Sequence, residues 1–201
     1  MSKAKNAFNT TSKHDAAITK GLSDDQLLDL VQRQTLRYFW DFAHPVSGMA
    51  RERSNQVYNY DATHTVTSGG TGFGIMALVA GAERGFLPRK QVVKHLNKMT
   101  DFLLQAETHH GAFPHFLDGR TGKSMAFSAH DDGGDIVETA YLMMGLLTAR
   151  QYFGGKDKAS TELRAKIYTL WENVEWDWYT RGENQLFWHW SPKYNWGMNH
   201  P

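Results

Sequence analysis

Two hydrophobic patterns alternate along the chain. From a capping-box-like Ser23-Asp24-Asp25-Gln26 to about His44, the residues Leu28, Val31, Thr35, Phe39 and Phe42 form one apolar stripe with charges opposite, which predicts an amphipathic helix. From about Thr71 to Arg84, the run Phe73-Gly74-Ile75-Met76-Ala77-Leu78-Val79-Ala80 is apolar on every side, as a helix enclosed by protein would be. Pro88 suits a first helical turn, and after it Val92, Leu96, Met99 and Leu103 form a stripe among Lys90, Lys94, Lys98 and Asp101. A fourth helix is predicted from Gly134 to about Phe153, again apolar all round. A fifth, from Ser160 to about Trp176, returns to a stripe of Leu163, Ile167, Leu170 and Val174.

The resulting order is outer, inner, outer, inner, outer. Short echoes support a repeated hairpin: Ser68-Gly69-Gly70 precedes helix two as Asp132-Gly133-Gly134 precedes helix four, and Phe113-Pro114-His115-Phe116 resembles Phe187-Trp188-His189-Trp190. The fold class expected is all-α, with two concentric helical layers as in an (α/α)6 toroid and the outer-to-inner loops gathered on one face. About five helices do not close a ring, and the next inner helix is due where the chain reads Asn199-His200-Pro201. Residues 22–201 are therefore expected to be an incomplete N-terminal portion of such a domain, and residues 1–21 a flexible arm.

Composition narrows the function classes. The chain has 201 residues, 41% hydrophobic, with a formal net charge of +1 and acids and bases interleaved, so no basic surface for nucleic acid is expected. No segment approaches ~20 apolar residues, and Met1 to Gly21 lacks an apolar run of signal-peptide length, so neither a membrane partner nor export is expected from these residues. Absent cysteines exclude disulfides and thiolate chemistry but leave the compartment open.

The most informative stretch is His130-Asp131-Asp132-Gly133-Gly134-Asp135-Ile136-Val137-Glu138. On a helix, positions 131, 135 and 138 share a face that continues into Leu142, Gly145 and Ala149, so the acids are expected to point inward. Asp132 as N-cap and Asp135 at N3 would account for two of them by helix capping. Glu138, more than a turn inside an apolar helix on this reading, needs a partner or a ligand. Asp131, Asp135 and Glu138 are accordingly catalytic candidates, with capping plus a salt bridge to Arg51 or Arg53 as the structural alternative. The glycines lack the spacing of a phosphate loop and suit a close backbone approach. Gly111 to Lys123 reads as a hairpin turning at Asp118-Gly119.

Loop aromatics add a sugar-like signature, since Trp188, Trp190 and Trp196 lie beside His and Asn donors. His109, His110, His115, His130 and His189 show no i, i+4 spacing on one helix, so no metal or other cofactor is expected. Asp131-Asp132-Gly133-Gly134-Asp135 also satisfies the DDxxD pattern of Mg²⁺-dependent isoprenoid synthases, but Gly133-Gly134 interrupts the helix that such a site requires.

Six stretches together resemble the bacterial glycoamylase-like family of glycoside hydrolases, which includes endo-β-1,2-glucanases. They are Tyr38-Phe39-Trp40-Asp41-Phe42, Gly48-Met49-Ala50-Arg51-Glu52-Arg53, Thr67 to Gly74, Gly111-Ala112-Phe113-Pro114-His115, Asp131 to Asp135 with Glu138-Thr139-Ala140, and Trp176-Asp177-Trp178-Tyr179 with Trp188-His189-Trp190-Ser191-Pro192. The resemblance implies a metal-free, inverting hydrolase of β-1,2-glucan on an (α/α)6 toroid, with functional acids at Asp131, Asp135 and Glu138. It also implies a proton-donating glutamate in a Trp-Asn-Glu motif that these 201 residues do not include. Arg51, His115, Trp188, Trp190 and Trp196 are the cleft residues expected to bind an oligo- or polysaccharide. The contrasting reading is a non-catalytic carbohydrate-binding scaffold that self-associates through exposed inner helices.

Overall fold

Gly72 and Gly145 set the approach of the two inner helices. A Cβ on Gly72 would stand 2.0 Å from the Tyr141 carbonyl oxygen, and one on Gly145 would stand 2.2 Å from that of Gly72. Only hydrogen at both positions lets two helices touch backbone to backbone. The computed structural model, which describes residues 21–53 and 63–201, builds its inner layer on this contact. The flexible arm expected over 1–21 lies, apart from Gly21, outside the described residues.

The described helices are α1 (Asp24–Trp40), α2 (Ser68–Glu83), α3 (Arg89–Leu103), α4 (Ile136–Tyr152) and α5 (Lys158–Glu172). Helices α2 and α4 pair as the inner layer, α3 and α5 pair behind them, and α1 lies on α2. The alternation of amphipathic and apolar helices thus produced the two layers expected of it. No described helix is long and apolar enough to cross a membrane.

Several boundaries differ from the sequence expectation, each for a local reason. α1 begins as expected, with Ser23 and Gln26 forming a reciprocal capping box, but ends at Trp40 rather than His44. Its buried residue is Leu36, while Leu28, Val31 and Phe42 of the expected stripe are exposed. Phe39 does pack inward: a Cβ on Gly74 would stand 2.6 Å from its ring. α2 starts three residues early, taking Ser68, Gly69 and Gly70 into its first turn because strand β1 (Thr65–Thr67) leads directly into it. Pro88 is the N-cap of α3 rather than its first residue, and all four stripe residues Val92, Leu96, Met99 and Leu103 are buried. Asp157 caps α5, whose Leu163, Ile167 and Leu170 fill the core with Val174 just beyond the end. The inner helices are not enclosed throughout: Phe73, Tyr141 and Met144 form an exposed strip along α2 and α4.

The loops at the N-termini of the inner helices form two small antiparallel sheets. β1 pairs with β2 (Phe116–Asp118), which pairs with β3 (Ser124–Met125). The hairpin expected here is present, with a turn that runs through Lys123 and takes its left-handed residue at Gly122, φ 74°, rather than at Gly119. β4 (Gly134–Asp135) pairs with β5 (His189–Trp190), Asp135 facing His189 in register.

The two loops are equivalent. Ser68 N donates to the His115 carbonyl as Ile136 N donates to the Trp188 carbonyl, and Thr67 pairs with Phe116 as Asp135 pairs with His189. Pro114-His115-Phe116 therefore corresponds to Phe187-Trp188-His189. The echo read from sequence is out by one residue, and in a strand a slip of one exchanges the faces of every side chain.

Candidate active site

Asp135 is the N-cap of α4 and is completely buried. Its Oδ1 accepts from the Glu138 backbone N–H at 2.9 Å and from Trp188 Nε1–H at 3.0 Å. Glu138 consequently occupies the first helical turn, not a position deeper in the helix, and Asp132 is not the N-cap. The shared helix face expected for residues 131, 135 and 138 does not exist, because Asp131 lies in a loop, Asp135 in a strand and Glu138 in a helix. The three acids are nevertheless gathered, by the turn of chain from loop to helix.

Two imidazoles hold the pair of aspartates. His115 Nδ1 lies 3.4 Å from Asp135 Oδ2 and 3.7 Å from Asp131 Oδ2. His189 Nε2 lies 3.5 Å from Asp131 Oδ2 and 4.0 Å from Asp135 Oδ2. These contacts are not aligned hydrogen bonds: Asp131 Oδ1, Asp135 Oδ2 and His189 Nδ1 are buried without a hydrogen-bond partner among the described residues. Burial disfavours the imidazolium form of His115, but Asp131 and Asp135, with Glu138 behind them, outweigh it and push its pKa up to about 10. The salt bridge considered for Arg51 or Arg53 is thus replaced by histidine pairing; Arg53 pairs with its neighbour Glu52.

Glu138 completes the cluster. Its Oε2 accepts from Gly69 N–H at 2.9 Å, in the first turn of α2. A Cβ on Gly69 would sit 2.3 Å from that oxygen, so the glycine is required for the contact. Burial raises the Glu138 pKa, His115 opposes the rise and the charge of Asp135 adds to it. Gly134 has a comparable role, since a Cβ there would stand 1.9 Å from Tyr179 Oη, which itself donates to the His109 carbonyl at 2.8 Å.

Of the cleft residues expected from sequence, His115 and Trp188 join the acids. Trp188 is 40% exposed, with its indole N–H turned onto Asp135. Arg51 instead bridges Val66 in the backbone, and its Nε is buried without a hydrogen-bond partner among the described residues. Trp190 lies against His109, His110 and Trp178, and Trp196 against Trp178, Tyr179 and Phe187. Sequence reasoning passed over His189 as a site residue. The available signal was its place beside Trp188 in a segment repeating the loop around His115.

His115, Asp131 and Asp135 each present one donor atom, all within 4.8 Å of one another, a set that could hold a cation. The same atoms also satisfy one another as an ion pair, and protonation of His115 withdraws its donor from a metal. Asp132 is not among them, so the DDxxD pattern does not converge as a unit. The arrangement brings together two buried aspartates against two histidines, one half-buried carboxylate of raised pKa and a partly exposed indole.

Comparison with known proteins gives consistent matches. The chain is 47% identical over 188 residues to the exo β-1,2-glucooligosaccharide sophorohydrolase (non-reducing end) of Parabacteroides distasonis, over 92% of this chain and 25% of that protein. An endo-β-1,2-glucanase from Chitinophaga pinensis, solved with sophorotriose and glucose, superposes with a TM-score of 0.87 at 49% identity, over 90% of this chain and 44% of that one. A candidate glucoamylase from Bacteroides fragilis does so with a TM-score of 0.87 at 46% identity, over 92% and 44%. The chain thus spans a quarter of the curated relative and under half of these two solved proteins. No family model matches it.

Proposed function

We propose, from the membership of this chain in the bacterial glucoamylase-like family of glycoside hydrolases, that its acids hold and help to cleave β-1,2-linked glucan. The observation that carries the reading is the meeting of Asp131, Asp135 and Glu138 at one point, with a partly exposed indole beside them. Asp135, committed to Trp188 and to the helix end, orients the site. Asp131 and Asp135, buried against His115 and His189, fix the imidazoles beside which a sugar hydroxyl would lie. Glu138 is the half-buried acid, and burial lifts its pKa toward the range of a working base. It is our assignment for activating water.

Glycoside cleavage requires a second carboxyl to protonate the leaving oxygen, ~6.5 to 9.5 Å from the base in an inverting enzyme. We assign that part to the Trp-Asn-Glu glutamate implied by the family resemblance. Arg51, Trp190 and Trp196 stand outside the acid cluster and would meet the glucan only away from the cleavage point. The second reading, a carbohydrate-binding scaffold that self-associates, draws on the exposed strip of Phe73, Tyr141 and Met144.

The test compares this chain with one extended to the length of its relatives, each incubated with β-1,2-glucan. Oligosaccharide release by the extended form, lost in its Glu138→Gln variant, supports the hydrolase. Sugar binding without release by either form would move the assignment to the scaffold, and release unaffected by Glu138→Gln would remove Glu138 from the chemistry.

A further inference from the structure

Both peptide planes that flank the His115 Cα end on one residue of α2. Ser68 Oγ donates to the Pro114 carbonyl at 2.6 Å, and Ser68 N donates to the His115 carbonyl at 3.1 Å. The proline ring already fixes its own φ, so holding its carbonyl fixes the ψ angle that sends the chain into His115. Ser68 itself is fully buried. The next residue, Gly69, gives its N–H to Glu138 Oε2 at 2.9 Å. One turn of helix thus holds the loop of the imidazole and the half-buried carboxylate together.

The internal repeat separates this contact from the general scaffold. Three residues further along, each inner helix clamps the preceding loop with a threonine: Thr71 Oγ1 accepts from Ala50 N at 3.0 Å, and Thr139 Oγ1 from Phe113 N at 2.8 Å. Both hairpins share that clamp. The serine hydroxyl is not shared, because Ile136 stands at the place of Ser68 and holds the Trp188 carbonyl by its backbone alone. The added hydroxyl belongs to the loop whose histidine reaches Asp131 and Asp135.

We infer that Ser68 is a positioning residue for glycoside cleavage, its hydroxyl setting the direction of the His115 imidazole relative to Glu138 and the two aspartates. The reaction in this inference rests on the β-1,2-glucan reading above; the placement rests on the hydrogen bonds. Without the hydroxyl the Pro114 peptide turns about ψ and carries the ring away from carboxylates 3.4 and 3.7 Å distant. A misplacement of ~1 Å in a group of this kind costs up to ~10²-fold in rate.

The stack of His115 on Phe127, with centroids 4.2 Å apart and planes 15° from parallel, supplies a spectroscopic signature of ring position. Ring current from the phenyl displaces the His115 C–H proton resonances upfield, and His115→Gln assigns them by their loss. At constant neutral pH, Ser68→Ala is expected to move these resonances toward those of an unstacked histidine. Thr71→Val, which deletes a buried hydroxyl on the same helix, is expected to leave them in place. In the form extended to the length of the relatives, Ser68→Ala is expected to lower kcat on β-1,2-glucan roughly tenfold with KM little changed. Unmoved resonances in Ser68→Ala, equal movement in Thr71→Val, or moved resonances with unchanged kcat would each overturn the inference. Resonances moved in Ser68→Ala alone, with no glucan cleavage by the unaltered extended form, would overturn the glucan reading while the placement by Ser68 stands.

Discussion

Replacing Asp135 tests whether the site is held by its hydrogen bonds or by its charge. Asp135→Ala removes the acceptor of two N–H groups, Glu138 N at 2.9 Å and Trp188 Nε1 at 3.0 Å. Loss of an N-cap oxygen costs ~1 kcal/mol, and taking the acceptor from the indole N–H of Trp188, a ring 40% exposed, costs ~1 kcal/mol, the low end for an unpaired donor. The two losses sum to about 2 kcal/mol. Asp135→Asn keeps the Oδ1 acceptor, and Asn caps as well as Asp, so its cost is expected below ~1 kcal/mol. Urea titration at neutral pH, followed by tryptophan fluorescence and by circular dichroism, reads the difference. With m of about 2 kcal/mol/M, the alanine variant should lose ~1 M in midpoint and the asparagine variant under ~0.5 M. Equal losses in the two variants would refute the reasoning, because they would assign the stabilisation to the carboxylate charge and none to the Oδ1 hydrogen bonds.

His115 makes stability depend on pH in a stated direction. Its pKa is raised from 6.5 to about 10 in the folded chain, so its contribution is fully present below pH 6.5 and is lost as pH rises through about 10. Urea midpoints at pH 6 and pH 10.5 should therefore diverge more in the unaltered chain than in His115→Gln; the same divergence in both would show that the imidazolium is not held by the acids. At the helix contact, Gly145→Ala places a Cβ 2.2 Å from the Gly72 carbonyl oxygen, where only backbone displacement relieves the clash. A loss of roughly 3 kcal/mol is expected, and a melting temperature within a degree of the unaltered chain would show that α2 and α4 adjust freely.

Helices were the legible part of this chain because the 3.6-residue period is local. The stripe Val92, Leu96, Met99 and Leu103 went wholly into the core, and the uniformly apolar segments formed the inner pair. Legibility failed at the ends. Asp132 and Asp135 were both acceptable caps by residue type, and the choice went to Asp135 because β4 pairs with β5 and holds residues 134 and 135 extended. The α1 stripe misled for a related reason: periodicity marks an apolar face but not which neighbour covers it, and Leu36, against α2, is the residue that is buried.

The order of residues by itself determined the helix-forming segments, their sorting into two layers, the glycines that permit close approach and the identity of the three acids. Tertiary structure alone decided that those acids meet from a loop, a strand and a helix, that His115 and His189 rather than arginines lie against the two aspartates, and that Trp188 rather than Trp190 turns onto Asp135. The division has one physical cause. Helical periodicity is set within a few residues, whereas the facing of Asp135 and His189 depends on the register of a distant strand pair, where a shift of one residue would reverse every side chain.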